Sequence, residues 1–254
     1  MTLASAIPVD PGIDGRVVLV TGAAGALGRA TALAAAAAGA VLVLCGRRVR
    51  PLEQLFDQIV ATGGAEPAIY PIDLEGATPT DYQELVAAVG GQLGRLDALV
   101  HCAARFTGLV PHTEIDPADW LRGIQVNLHA RWALTQAALP LLQQRSDAAV
   151  VLVMDDPARV GKAYWGDYGV AQFALRGLLS QWAAELENGP IRVHGLVPAP
   201  MQSALRQRAY FAENPALVAG PEATAAAIVE LLSPAGRRLR GQVVDLNEGL
   251  EARD

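Results

Sequence analysis

The sequence predicts a doubly wound α/β domain, a seven-stranded parallel sheet with helices on both faces. The domain runs over 13–254, behind a flexible N-terminal arm over 1–12. Three observations predict it. Short apolar runs alternate with helically patterned stretches from Arg16 to Leu246. The first run leads straight into a glycine-rich turn and an alanine-rich helix, Thr21 to Gly39. The residues that carry chemistry, Arg47, Asp73, Cys102, Asp155 and Pro198, sit at the carboxyl ends of predicted strands, where such sheets open their ligand crevice.

The elements follow in order. Arg16–Val20 is apolar and β-branched, the pattern of a strand buried on both faces. The turn Gly22–Gly28 brings bare backbone N–H groups toward a phosphate. The helix after it, Arg29–Gly39, adds its positive end, and Gly39 stops it. Val41–Cys45 is the second strand and completes a β-α-β unit suited to a dinucleotide. In Pro51–Thr62, Leu52, Leu55, Phe56 and Ile59 recur at helical spacing until Gly63-Gly64. Pro67–Ile72 is a strand, Pro79–Leu93 a helix with Tyr82, Leu85, Val86 and Val89 on one face, and Leu96–Cys102 the fourth strand. Phe106–Thr113 reads as a loop, and Pro117–Gln144 as a long helix in two pieces with Asn127 midway. Ala148–Met154 is a strand, Asp155–Tyr164 a loop, and Gly166–Glu187 a helix ended by Asn188-Gly189. Ile191–Val197 closes at Pro198-Ala199-Pro200, and Ser203–Glu213 is a flexible helical segment. Pro221–Leu232 is a helix that starts on proline, and Gln242–Leu246 is the last strand.

Bulk properties exclude several classes. The net charge of −6 and the lack of a clustered basic face argue against a nucleic-acid footprint. The longest uncharged run, Ala30–Gly46, is alanine-rich and broken by Gly39, so it reads as helix plus strand rather than a membrane span. Met1–Gly12 has no basic n-region and carries two prolines, so it is not a signal peptide, and a cytoplasmic protein is expected. Cys45 and Cys102 end strands with the first strand between them, about 10 Å apart, too far for a disulfide. No metal site is expected.

Thr21-Gly22-x-x-x-Ala26-x-Gly28 resembles the TGxxxGxG turn of the short-chain dehydrogenase/reductase (SDR) family, with Ala26 at the middle glycine and Gly25 before it. The resemblance extends from Arg16 to about Gly249 and implies a Rossmann-type oxidoreductase. It implies phosphate contacts at Gly22, Gly25, Leu27 and Gly28. Arg47, just after the second strand, stands where NAD-specific sites carry an acid. Arginine there accommodates a 2′-phosphate, so NADP(H) is expected rather than NAD(H). Asp73-Leu74 matches the family's aspartate at the adenine. His101-Cys102-Ala103-Ala104 occupies the place of N-N-A-G, and only Ala103 is kept. Pro198-Ala199-Pro200-Met201-Gln202-Ser203 replaces a P-G-x-x-x-T type segment, with Pro198 and the Ser203 hydroxyl retained and Met201 at a threonine position.

Tyr168-Gly169-Val170-Ala171-Gln172 aligns with the family's Y-x-x-x-K, a spacing that places both residues on one helix face. In the family the tyrosine protonates the carbonyl being reduced. The lysine holds the cofactor ribose and, as a cation, lowers the tyrosine pKa. Here Tyr168 is present and the lysine is Gln172. The family's serine, thirteen residues before the tyrosine, is Asp155, and its helix asparagine is Asn127. Gln172 brings no charge, and an anionic Asp155 raises the phenol's pKa, so alcohol oxidation is disfavoured and carbonyl reduction impaired. Lys162, the only lysine, lies six residues before Tyr168 and could swing in from the loop. Two functions stay open: an NADP(H)-dependent reductase of an unidentified carbonyl, or a non-catalytic SDR-fold protein that binds nucleotide for sensing or scaffolding. Apolar groups on the long helices, Trp132, Leu139, Phe173, Leu178 and Trp182, together with the resemblance, imply a homodimer or homotetramer.

Overall fold

The computed structural model describes residues 12–247. The expected N-terminal arm therefore lies outside the described residues, apart from Gly12. Seven parallel strands form one sheet in the order β3-β2-β1-β4-β5-β6-β7. They are β1 Val17–Thr21, β2 Val41–Gly46, β3 Ala68–Pro71, β4 Ala98–His101, β5 Ala148–Val153, β6 Ile191–Val197 and β7 Val243–Asp245. Every residue of β1, β4 and β6 is buried, as strands covered on both faces are, and in β6 this includes Arg192 and His194.

Alternate strand residues feed two cores. Val17, Leu19, Leu99 and Val150 pack beneath helices α3 (Pro79–Leu93), α5 (Ala130–Leu142) and α7 (Gly166–Glu185). Val18, Val20, Val100 and Val151 pack beneath α1 (Ala26–Ala37), α2 (Val49–Ala61) and α9 (Glu222–Leu232). The alanines of α1 let it lie close to its neighbours, and Ala32, Ala35 and Ala36 are all buried. Sequence order reverses between β1 and β4, so the crevice opens at their carboxyl ends.

Several helices begin on a polar cap followed by proline, which suits the first helical position. Thr78 and Asp81 form a capping box ahead of α3, with Pro79 between them. Asp116 caps α4 (Pro117–Ile124) in the same way. Asp156 caps a four-residue helix, α6 (Pro157–Val160), inside the segment expected to be a loop. The long helix does divide at Asn127: a π-helical turn, Gln125–His129, joins α4 to α5. The segment after Ser203 carries a short helix, α8 (Ala204–Ala209).

The amino ends of the strands are tied by charge. Asp147 accepts from Arg192 Nε at 2.8 Å and Arg16 Nη2 at 2.9 Å, with Arg237 at 3.3 Å. Arg192 is wholly buried and also donates to the carbonyl of Leu231, at the end of α9. Next to it, His194 Nδ1 meets the Leu239 carbonyl at 2.8 Å. Burial, then the charge of Arg192, lowers the His194 pKa to about 4. Burial, then Arg131, lowers that of His101 to about 3.

Both histidines therefore fold neutral. Unfolded, each titrates near pH 6.5, so below that pH the unfolded chain binds more protons. Their contribution is fully present above about pH 6.5 and is lost as the pH falls toward 4, by about 1.4 kcal/mol per pH unit for each histidine. Urea unfolding at pH 7 and pH 5 should show a clear loss at the lower value. Equal stability at both would show that these histidines are not held neutral.

Candidate active site

The glycine turn is set by close contacts between backbones. Gly22 has φ +65°, and a Cβ there would lie 2.7 Å from Ala103 Cα, just past β4. A Cβ on Gly28 would lie 2.2 Å from the Gly22 carbonyl oxygen, so α1 stacks directly on the turn. Gly25 is the N-cap of α1. No side chain caps the helix and no acid sits in its first turn. The positive end of α1, with Gly22, Gly25, Leu27 and Gly28, thus faces a cleft of about 640 Å³. An anion with room for backbone contact fits this cradle, and side chains at Gly22 or Gly28 would force its backbone segments apart.

One arm of the cleft is lined by Arg47, Arg48, Asp73 and Leu74. No acid ends β2. The Arg47 side chain is 63% exposed and reaches Glu75 at 3.5 Å. Asp73 Oδ1 accepts from the Glu75 amide at 3.1 Å and shapes the turn after β3. Glu75 also accepts from Arg105 Nε at 3.2 Å, so a charged chain borders this arm.

The centre is built on the exit of β4. Ala103 donates its amide to Thr21 Oγ1 at 3.4 Å and accepts from Arg131 Nη2 at 2.8 Å. His101 Nε2 lies 2.9 Å from Thr135 Oγ1. Arg131 and Thr135, one turn apart on α5, thus tie down the strand exit where the sequence lacks paired asparagines. Cys45 and Cys102 are both free thiols. Burial pushes both up, Cys102 to about 12, so neither is a thiolate.

The floor holds Tyr168. Its hydroxyl donates to Asp155 Oδ2 at 2.8 Å. Asp155 Oδ1 accepts from Arg159 Nε at 2.9 Å and from the Asp156 amide at 2.7 Å. The ring is packed by Phe106 and Trp165, at centroid distances of 5.4 and 5.9 Å. Leu205 and Ala209 of α8 complete this apolar cluster. Burial, then the charge and hydrogen bond of Asp155, raise the phenol's pKa well above 10, against a downward pull from Arg131 and Arg159. Gly169 lets α6 approach, since a Cβ there would lie 2.5 Å from the Val160 carbonyl oxygen.

The structure brings Tyr168, Asp155, Ala103, Pro198 and Ser203 together on the cleft wall. Ser203 Oγ caps α8 by accepting from the Arg206 amide at 3.1 Å. Asn127 and Gln172 are buried behind that wall. Asn127 clamps the Arg105 backbone, accepting at Oδ1 and donating from Nδ2, both at 2.8 Å. Gln172 Oε1 is buried without a partner among the described residues. Lys162 is exposed and off the cleft lining. The described residues include no His/Cys/Asp/Glu group able to hold a metal ion.

Sequence reasoning passed over Arg131, which lines the cleft and is buried. The available signal was its place one turn after Asn127, on the helix face shared with Ala130 and Leu134.

Comparison with known proteins agrees with this geometry. The short chain dehydrogenase family model matches residues 16–214. The uncharacterised oxidoreductase YciK of Escherichia coli K12 is 31% identical, over 93% of this chain and 94% of its own. A short chain dehydrogenase structure from Pseudomonas syringae is 37% identical, with a TM-score of 0.90, covering 95% of this chain and 98% of its own. Another from Escherichia coli CFT073, complexed with NADPH, is 31% identical with a TM-score of 0.88, covering 93% and 98%.

Proposed function

The chain belongs to the short-chain dehydrogenase/reductase family, and we propose that it binds NADP(H) and reduces a carbonyl substrate with Tyr168 as the proton donor. The observation that carries this is Tyr168 itself: a neutral phenol on the floor of a glycine-cradled cleft. Arg47 and Arg48, with no acid at the end of β2, favour the 2′-phosphate. The NADPH bound by a similar structure supports the same choice.

NADP(H) supplies hydride when bound. The chain's own part is to orient and to move one proton. Gly22, Gly25 and the amino end of α1 would hold the pyrophosphate, and Arg47 the 2′-phosphate. Ala103 and Pro198 border the place of the nicotinamide. Tyr168 delivers its proton to the substrate oxygen, and Phe106 and Trp165 keep water away. Asp155 opposes this by accepting the phenol's hydrogen bond. The same bond favours a second reading, a nucleotide-binding protein without turnover.

Nucleotide titration tests the first element. NADPH should bind more tightly than NADH by roughly one to two decades, the worth of a charge-assisted contact. Arg47→Ala should remove most of that difference. Equal affinities in the parent would sink the assignment.

Turnover tests the second. Alcohol oxidation needs a phenolate, so it should be negligible up to pH 9, because Tyr168 titrates well above 10. NADPH oxidation with a reactive aldehyde should be slow in the parent and should rise about tenfold or more in Asp155→Ser, which frees the phenol. Tyr168→Phe should abolish it. Brisk turnover untouched by Tyr168→Phe would move the chemistry to another residue. No turnover in Asp155→Ser would favour the non-catalytic reading.

Assembly follows from what the helices leave uncovered. Trp132 on α5 and Phe173 on α7 are 43% and 49% exposed, beside Leu121 and Val170. Trp182, by contrast, is in the core, and Leu139 and Leu178 pack against it. A second copy covering Trp132 and Phe173 makes a homodimer or homotetramer. Light scattering at micromolar concentration should give a multiple of 26.6 kDa, and a monomeric mass would reject it.

A further inference from the structure

Arg131 is a buried guanidinium without a carboxylate. Its Nη2 donates to the Ala103 carbonyl at 2.8 Å, and its Nη1 to the carbonyl of Val153 at the end of β5. Nε is buried and has no partner among the described residues. Among the described residues no acid pairs with it, and Asp155, the acid of the floor, pairs with Arg159 instead. A guanidinium carries five N–H groups, so unused donors remain on a cation that water does not solvate. Such a group is costly unless the site itself uses it. Arg131 lines the cleft, and its charge acts on Tyr168 and Cys102.

Gln172 offers no such charge. It sits behind the wall, uncharged, with its carbonyl oxygen unbonded. Arg159, the other cation of the floor, is taken up by Asp155, so the one place for an unpaired cation lies at the Ala103 carbonyl. It is filled from α5 rather than from α7.

We propose that Arg131 is the cation of the catalytic floor, donating to the ribose on the nicotinamide side of NADP(H) and standing beside Tyr168 in place of the lysine that Gln172 replaces. This rests on the NADP(H) reading above. A charge carried one turn beyond Asn127 reaches the floor across the β4 and β5 exits. Its two carbonyl bonds fix the planar group, which a flexible ammonium would not match.

The experiment measures binding rather than turnover, with two probes. NADPH spans both halves of the cleft, while adenosine 2′,5′-bisphosphate occupies only the adenine half. Arg131→Met should weaken NADPH by about tenfold to a hundredfold and leave the bisphosphate within about twofold. Arg47→Ala should weaken both. Arg131→Met/Gln172→Lys, which moves the cation back to α7, should recover NADPH affinity to within about threefold of the parent. Gln172→Lys alone, which leaves Arg131 in place, should change it by less than about threefold, since the place is filled.

Three results would overturn the proposal while leaving the NADP(H) reading in place. One is Arg131→Met binding NADPH like the parent. Another is equal loss of both probes, which marks a structural role. The third is a tenfold gain from Gln172→Lys alone, which marks a vacant place and is readable even if Arg131→Met does not fold. A parent that binds neither probe overturns the NADP(H) reading, and this proposal with it.

Discussion

No side chain fits between Gly22 and the backbone at Ala103, nor between Gly28 and the Gly22 carbonyl. Three segments, the turn after β1, the exit of β4 and the first turn of α1, are therefore stacked backbone on backbone. That stacking fixes where the two central strands end and where the order of the sheet reverses. It leaves the amino end of α1 uncapped toward the cleft and turns the Ala103 carbonyl toward the guanidinium of Arg131. The replacement of the family's middle glycine by Ala26 leaves that stack intact and puts a methyl group on the cleft lining. Ala26 is the first helical residue, exposed, and its Cβ lies outside the stack. The two glycines that cannot be exchanged are the ones present.

The acid at position 155 works only as part of a larger unit. A lone carboxylate buried beside a phenol would be severely desolvated. Arg159, one turn along α6, supplies the counter-charge, and Asp156 with Pro157 starts that helix at the right residue. Gly169 then lets α6 settle on α7, so the ion pair closes over Tyr168. The charge change, the short helix and the glycine depend on one another. A serine would need none of them, since it is neutral and donates its own hydrogen bond.

The strands and the glycine turn were legible because parallel strands and glycine turns leave local signatures. Val17–Val20 and Val41–Cys45 are continuous apolar runs, and Pro79 and Pro117 announce their helices. Helix α6 was not legible, although Asp156-Pro157 carries the same cap-and-proline signal as Asp116-Pro117. Four residues give no periodicity to read. The wall positions of Asn127 and Gln172 were not legible either. Helical spacing puts Tyr168 and Gln172 on one face, but only the packing of α7 on its neighbours decides how far that face is open. Arg131 was hidden for the opposite reason. On a buried helix face an arginine looks like an error of pattern, and its meaning comes from the Ala103 and Val153 carbonyls, which are far away in sequence.

The hydrogen bond from Tyr168 to Asp155 also sets the direction of any chemistry. A carboxylate is a stronger acceptor than a neutral carbonyl oxygen, by roughly the margin between charge-assisted and neutral hydrogen bonds. In the ground state the phenol's proton therefore stays with Asp155, and a waiting substrate does not draw it away. In the proposed reduction the substrate oxygen would become an alkoxide, a far stronger base than a carboxylate. The proton then has a better acceptor in the cleft than on the wall, and the phenolate left behind stands near Arg131 and Arg159. The reverse path would begin from a neutral alcohol and need a phenolate to take its proton, whereas Tyr168 is a phenol that already donates to the Asp155 carboxylate. The proposed reduction would thus be slowed by the cost of leaving Asp155, and oxidation more so, since it would draw on a phenolate that is scarce near neutral pH. The aromatic packing of Phe106 and Trp165 sharpens the difference, because a drier floor strengthens each of these charge terms.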